Sequence, residues 1–224
     1  AKACGIALNG RGSILVNSRM ETNVADIYAV GDAIEVQNFV SKEAAFLPLA
    51  GPANKQGRIA ADNICGIVSE YTGTQGSAVA KLFDMTIAST GLNEKSAQAA
   101  GIAYDKTYLY SGSHAGYYPG ATNMSIKALW DQETKKLLGA QIVGFDGVDK
   151  RMDVLAAAIR FGAKVTDLTE LELCYAPPFG SAKDPVNMLG FVAENIVTGK
   201  VKQFFWDDVE TLPRDGSVTL LDVR

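Results

Sequence analysis

The sequence predicts an α+β domain, built from an antiparallel sheet plus helices, preceded by an incomplete α/β segment. Residues 1–70 carry two short apolar runs and one helical pattern, which are too few strands to complete a sheet. A polar, glycine-containing link follows at 72–76. Residues 71–200 then carry the alternating apolar patterns and capped helices of one domain. The tail, residues 201–224, differs in character and is predicted to be a linker leading into the start of a further domain.

Composition excludes several classes of protein. The 224 residues are 47% hydrophobic and 21% charged, with a formal net charge of -4. Without a basic excess we expect no nucleic acid partner, and no apolar run reaches the roughly 18 residues that would predict a membrane span. The odd set Cys4, Cys65 and Cys174 lacks a disulfide or zinc spacing, which predicts buried thiols, no metal and a reducing, cytoplasmic compartment. The first residue is not Met, which indicates a start inside a longer polypeptide.

Local patterns assign the elements of the first segment. Residues 13–16 and 26–30 are predicted strands, the second apolar on both faces as in a buried parallel strand. A helix is expected from Pro52 to Ile64, because proline suits a first helical turn. Gly57, Ala60, Ala61 and Ile64 would form its packing face.

The second domain is predicted to contain four strands and three helices. The strands are expected at 79–89, 103–110, 124–130 and 137–143. Asn93 is the expected N-cap of the first helix, and Asp184 followed by Pro185 that of the last. Between them, apolar residues at helical spacing over 148–159 predict the middle helix. The tail is expected to contain a short helix at 206–212, a turn at 213–216 and a buried strand at 217–223.

The first pattern that carries chemistry lies at 27–33, where a buried strand delivers Gly31 and Asp32 at its carboxyl end. Open α/β sheets bind ligands at that edge, and a carboxylate there can accept hydrogen bonds from ligand hydroxyls. Taken alone, Gly-Asp is better explained as an ordinary strand-to-turn junction. The pattern at 47–58 adds a small-residue loop and a helix N-terminus, whose free N–H groups stabilise negative charge. The two patterns together are much more specific than either one.

Residues 22–66, which contain both patterns, resemble the second FAD-binding segment of the pyridine-nucleotide–disulfide oxidoreductases. This resemblance implies FAD and NAD(P)H as cofactors and α/β architecture for the first segment. Gly31 and Asp32 would lie at the ribityl chain, which Asp32 would hold. The Leu49 and Ala50 backbone, with the helix near Pro52, would point at the pyrimidine edge of the flavin.

A third pattern combines phenols, prolines and cations at 114–120, 149–151 and 175–185. By composition alone, core aromatics in a rigid proline turn are favoured. The set, however, resembles the coenzyme A-disulfide reductase branch, including persulfide reductases fused to a rhodanese domain. There, two tyrosines from the dimerisation domain of one subunit reach the redox cysteine of the other. Tyr117 fits the first, with Tyr118 as the near alternative, and Tyr175 fits the second. Lys183 would contact coenzyme A, and Asn54 or Lys55 would line the same pocket.

Two further features support this branch. The two-cysteine reductases carry a His-Pro-Thr motif in this domain, whereas the single histidine, His114, is not followed by Pro-Thr. We therefore interpret His114 as structural and expect one-cysteine chemistry. The segments 206–209 and 220–224 resemble the opening of a rhodanese domain.

The resemblance implies a homodimer that uses NAD(P)H and FAD to reduce coenzyme A disulfides or persulfides, with coenzyme A as substrate or bound thiol. The glycine-rich FAD motif, the redox cysteine and most of the NAD domain are not among these 224 residues, so we expect this chain alone to be inactive. Two alternatives stay open. One is an NADH oxidase or peroxidase of the same superfamily, and the other is a non-catalytic dimerisation module.

Overall fold

The first segment contains little regular structure besides one helix. The computed structural model describes residues 1–221. Strands β1 (Val36–Gln37) and β2 (Ala44–Ala45) form a two-residue antiparallel ladder, and helix α1 spans Ala50–Ile64. The strands predicted at 13–16 and 26–30 are wrong, because only isolated bridges occur there, at Ile14 and at Tyr28. A strand needs a continuous hydrogen-bonded neighbour, and the described residues supply none along these two runs.

Helix α1 begins two residues before the predicted start, with Pro52 in its first turn as predicted. Of the expected packing face, Ala60 is buried as predicted, whereas Ala61 is exposed and Ile64 is 64% exposed. Gln56 and Asn63 are buried as well. Ala60 packs into a small apolar cluster with Met20, Ile34 and Val36.

The second part of the chain folds around a five-stranded sheet, which confirms the predicted fold class. All neighbouring strands in this sheet are antiparallel, in the order β3-β4-β7-β6-β5. The strands are β3 (Ala78–Leu82), β4 (Met85–Gly91), β5 (Tyr104–Gly112), β6 (Asn123–Asp131) and β7 (Leu137–Gly144). The helices are α2 (Glu94–Ala99), α3 (Val148–Arg160) and α4 (Pro185–Val197).

The single strand predicted at 79–89 is wrong in one respect, since it is a hairpin of β3 and β4. The chain reverses at Phe83, which has a positive φ of 51°. No glycine or proline marks this turn, and those are the residues from which a turn is normally predicted.

The main core lies between the sheet and helices α3 and α4. Met124, Ile126, Ala128 and Trp130 of β6 alternate along the strand and all enter this core, as predicted. They meet apolar side chains of the two helices there, including Met152, Leu155 and Leu189. A smaller cluster with Leu92, Ala97, Leu129 and Leu138 lies on the opposite face, beneath α2.

The predicted helix caps are confirmed. The Asn93 side chain accepts a hydrogen bond from the Ser96 amide at the start of α2, and the Asp184 side chain accepts one from Val186 at the start of α4. Two other expectations are wrong. All three cysteines are exposed, and in the described residues 217–221 no strand forms, with Leu220 72% exposed. The rest of that predicted strand lies outside the described residues.

Candidate active site

The first half of the candidate site is a 3₁₀ turn, Gly31–Ala33, packed against α1. Gly31 has a φ of 73°, in the left-handed region that glycine adopts without strain. Its amide donates a 2.8 Å hydrogen bond to Oε1 of Gln56, which is buried in α1. Asp32 is exposed. The two sequence patterns that contain Asp32 and the start of α1 thus lie side by side.

The N-terminus of α1 has free hydrogen-bond donors. Within residues 1–221 the amides of Ala50 and Gly51 find no acceptor, Pro52 has no amide hydrogen, and the N-cap residue Leu49 provides no side-chain acceptor. Unpaired amides at the positive end of a helix favour an acceptor or an anion. One turn further, Asn54 and Lys55 are exposed and lie at the same helix end.

The second half of the candidate site is a pair of phenols. The hydroxyl oxygens of Tyr117 and Tyr175 lie 2.9 Å apart, although 58 residues separate them in the sequence. Both side chains are exposed, at 77% and 47%. The hydrogen bond with Tyr117 raises the pKa of Tyr175 above its ordinary value of 10.0.

The other candidate side chains of the third sequence pattern, Tyr118, His114 and Lys183, do not take part in the pair of phenols. Tyr118 packs edge-on against the buried His114, with 5.8 Å between the ring centroids, so Tyr117 is the phenol that meets Tyr175. The Nδ1 of His114 lies 3.1 Å from the Ala115 carbonyl oxygen, which fits the structural role expected for it. Lys183 is exposed, and its Nζ lies 5.5 Å from the centroid of the Phe191 ring.

The sequence pattern at 149–151 includes an arginine to which no role was assigned, and the structure buries it. Arg151 of α3 pairs with Asp184, and the two side chains are only 2% and 3% exposed. The Nη2 of Arg151 lies 2.9 Å from Oδ2 of Asp184 and 2.7 Å from the Ser113 carbonyl oxygen. The sequence could have predicted this ion pair, because Arg151 lies on the apolar face of α3 and a charge buried there requires a partner of opposite charge.

Over the part of one chain that the structure describes, the two halves of the candidate site make no direct polar contact with each other. No hydrogen bond or ion pair between described residues joins the Gly31–Ala33 turn or the start of α1 to the tyrosine pair. Residues 1–221 also contain no cluster of three or more side chains that could ligate a metal ion. Over the same residues, no helix is both long and apolar enough to cross a bilayer.

Two family models match the chain. Residues 77–185 match the dimerisation domain of the pyridine nucleotide-disulphide oxidoreductases, and residues 1–57 match the pyridine nucleotide-disulphide oxidoreductase model. Together the two matches span about three quarters of the chain. The chain belongs to the pyridine nucleotide-disulphide oxidoreductases.

Among curated relatives, this family member is 38% identical over 194 residues to coenzyme A disulfide reductase from Staphylococcus epidermidis, covering 86% of the chain and 44% of the relative. Among solved structures it is similar to reduced Bacillus anthracis CoADR-RHD, with a TM-score of 0.93, 51% identity and coverage of 96% and 39% of the two chains. It is also similar to a NAD-dependent persulfide reductase from A. fulgidus, with a TM-score of 0.90, 36% identity and coverage of 94% and 39%. The chain therefore spans less than half the length of these relatives.

Proposed function

We propose that the protein carrying this chain is a homodimeric flavoenzyme that reduces coenzyme A disulfides or persulfides with NAD(P)H. The observation that carries this proposal is the exposed pair of phenols, Tyr117 and Tyr175, whose oxygens lie 2.9 Å apart. Two phenols held together at a surface can bind one sulfur atom from two directions. The relatives named as coenzyme A disulfide and persulfide reductases support this choice of substrate.

The residues of the first segment fit FAD. Asp32 offers an exposed carboxylate that can accept from ribityl hydroxyls, and Gly31 beside it has the positive φ that glycine adopts without strain. The unpaired amides of Ala50 and Gly51 offer donors to the acceptor-rich pyrimidine edge of the flavin. FAD, when bound, would pass electrons from NAD(P)H to sulfur. The Leu49–Ala50 backbone would stabilise the negative charge that then develops at this edge, because it lies at the positive end of α1.

In this proposal the tyrosines serve the partner subunit. Reduction of a disulfide breaks one S–S bond, consumes a hydride and a proton, and yields two thiols. Tyr117 and Tyr175 would donate hydrogen bonds to the sulfur that gains negative charge, orient it, and lie close enough to supply the proton. Within the described residues of one chain the phenols make no hydrogen bond to the Asp32 region, which is consistent with action across a dimer. The match to a dimerisation domain supports self-association.

Coenzyme A would be bound by side chains near both halves of the site. Lys183 lies in the same loop as Tyr175 and is exposed, so its ammonium group can reach a phosphate. Asn54 and Lys55, exposed at the start of α1, would line the same pocket. The tail would lead from linker into a rhodanese-like domain, and the three free thiols are compatible with a reducing, cytoplasmic setting.

The direct test compares substrates and tyrosine variants in the full-length protein. With NADH and NADPH as donors, coenzyme A disulfide or persulfide should be reduced faster than oxygen or peroxide. Tyr117→Phe and Tyr175→Phe should each lower kcat/KM for the sulfur substrate by about 10- to 100-fold, less than most of the roughly 10²–10⁴-fold that a positioned proton donor contributes, because the other phenol remains. Steady-state kinetics measure both effects.

Tyr118→Phe is the matched control, because it removes a neighbouring phenol that does not join the pair. Its kcat/KM should stay within about twofold of the unmodified protein. Oxygen turnover that exceeds sulfur reduction, or full activity in both pair variants, would overturn the proposal.

A further inference from the structure

Two loops carry the candidate catalytic phenols, and both touch the same buried side chain. The first loop, residues 113–122, joins β5 to β6 and carries Tyr117. The second loop, residues 171–184, leads into α4 and carries Tyr175. The guanidinium group of Arg151 donates to a carbonyl oxygen in each, at Ser113 (2.7 Å) and at Phe179 (3.4 Å).

Every nitrogen of this guanidinium has a partner. Nε lies 3.1 Å from Oδ2 of Asp184, and Nη1 lies 3.2 Å from the carbonyl oxygen of Gly147. Nη2 has two N–H groups for three acceptors: it donates to the Ser113 carbonyl oxygen (2.7 Å) and the Asp184 carboxylate (2.9 Å), and the longer 3.4 Å contact with the Phe179 carbonyl oxygen is shared with one of these. A planar fork of five donors can make such contacts at once, whereas an ammonium group presents three donors from a single point.

The two loops also bond to each other directly. The amide of Ala115 in the first loop donates to the Gly180 carbonyl oxygen in the second, over 2.9 Å. This contact lies two residues from Tyr117 along the chain, and next to the carbonyl that Arg151 holds. Lys150, the neighbour of Arg151 in α3, adds a 3.3 Å bond from its Nζ to the Phe179 carbonyl oxygen. Helix α3 therefore holds the backbone of both loops from below while their phenols project outward.

We propose that Arg151 is a positioning residue, whose buried guanidinium couples the first and second loops and so sets the contact between Tyr117 and Tyr175. Its charge is neutralised by Asp184, which is fixed in turn because it caps α4. The catalytic consequence rests on the proposed function, since it concerns sulfur reduction by the two phenols. The coupling of the loops does not rest on it.

The coupling can be measured without flavin, NAD(P)H or coenzyme A. A 3-fluorotyrosine placed at position 175 of the protein reports the ionisation of that phenol by ¹⁹F NMR titration. Its pKa should be raised relative to the same probe in a Tyr117→Phe variant, which lacks the pair. Arg151→Lys, which keeps the charge but loses the fork, should shift the pKa to the value of the Tyr117→Phe variant. If Arg151 is only a structural ion pair, Arg151→Lys lowers the melting temperature and leaves the pKa of Tyr175 unchanged, which overturns the inference.

Leu129→Ala is the control for general destabilisation. Leu129 is buried in the small cluster beneath α2, on the opposite sheet face from α3 and α4. The substitution should lower the melting temperature while the pKa of the probe at position 175 stays raised. Loss of the raised pKa in this control would also contradict a specific role for Arg151.

A second measurement uses the unmodified protein, so it does not depend on any variant folding. Native-state hydrogen exchange reports the opening of the amides of Ala115 and Val186, one in the first loop and one at the Asp184 cap. If Arg151 couples the loops, the two amides should open together, with the same dependence on denaturant. Faster, independent opening at Ala115 would contradict the inference.

Kinetics then separate this inference from the proposed function. In the full-length protein, Arg151→Lys should lower kcat for the sulfur substrate to the level of Tyr117→Phe, with little change in KM. If the NMR coupling is lost in Arg151→Lys while Tyr117→Phe leaves sulfur reduction unchanged, the positioning role stands and the proposed function fails. If Tyr117→Phe impairs reduction and Arg151→Lys does not, the positioning role fails alone.

Discussion

Asp184 combines two interactions at one position. Its side chain accepts a 3.0 Å hydrogen bond from the Val186 amide at the start of α4, and it neutralises the buried guanidinium of Arg151. The Asp-Pro sequence predicts the first interaction, because aspartate followed by proline is a typical helix start. The second depends on Arg151 of α3, which lies 33 residues earlier in the chain.

Asp184→Ala should therefore lower the free energy of unfolding by more than the loss of an ordinary helix cap does. It removes the helix cap and leaves Arg151 as an unpaired buried charge, so the free energy of unfolding should fall by about 3–5 kcal/mol. Asn93→Ala removes the exposed N-cap of helix α2, and should lower the free energy of unfolding by about 1 kcal/mol. Urea denaturation of both variants at neutral pH gives the comparison. Equal losses would mean that the ion pair contributes nothing beyond the cap.

At the scale of elements, helix α4 packs very closely on the short 3₁₀ helix Val165–Glu170. A Cβ added at Gly190 would lie 2.8 Å from the Thr169 amide nitrogen and 2.9 Å from the Leu168 Cβ. Gly190 therefore permits a contact that a larger residue would block. At Gly57 of α1, in contrast, an added Cβ would meet no atom of the described residues within 4 Å.

The same substitution should thus have opposite effects in the two helices. Gly190→Ala should lower the free energy of unfolding by about 1–3 kcal/mol, because backbone must move to relieve the clash. Gly57→Ala should raise it by about 0.4–1 kcal/mol, because alanine loses less chain entropy in a helix interior. Thermal and urea unfolding of the two variants test the pair. Stabilisation by Gly190→Ala would refute the close packing of α4.

At the scale of the whole molecule, an ionic cluster ties α2 to the sheet. Glu94 of α2 accepts hydrogen bonds from Lys106 (2.7 Å) and Tyr104 (2.9 Å) of β5, and from Lys127 of β6. Burial raises the pKa of the Glu94 carboxyl, but these hydrogen bonds outweigh burial and lower the pKa from 4.5 to about 2. A depressed carboxyl pKa stabilises the fold above the unfolded-state pKa and loses that contribution as the pH falls toward the folded-state pKa.

Acid should consequently lower the free energy of unfolding, because protonation of Glu94 removes these interactions. Between pH 5 and pH 2 the free energy of unfolding should fall by about 2 kcal/mol more in the unmodified protein than in Glu94→Gln, after allowance for screening of a side chain that is 22% exposed. Urea denaturation at several pH values measures the difference. Glu133→Gln, at an exposed carboxylate in the turn between β6 and β7, is the control and should leave the pH dependence unchanged.

The first segment and the second domain are joined by specific contacts across the molecule. The guanidinium of Arg160 stacks over the Phe39 ring of the first segment at 3.9 Å, and Gln75, in the link at 72–76, donates to the Ala156 carbonyl oxygen of α3 over 2.8 Å. No local sequence pattern predicts either of these contacts. The strands predicted at 13–16 and 26–30 failed for a related reason, since apolar content predicts burial but does not supply a neighbouring strand. Ile27 and Val30 are both 37% exposed as a result.

Local sequence was sufficient for the features that depend on neighbours a few residues away. These include the caps at Asn93 and Asp184, the alternation of β6 and the helical spacing of α3, because each follows from local backbone geometry. Packing in three dimensions was needed to bring the Tyr117 and Tyr175 oxygens together and to bury Arg151 behind them. It also turned Gln56, rather than Gly57, inward in α1. Such contacts join residues far apart in the chain, and only packing determines which of many chemically similar partners is reached.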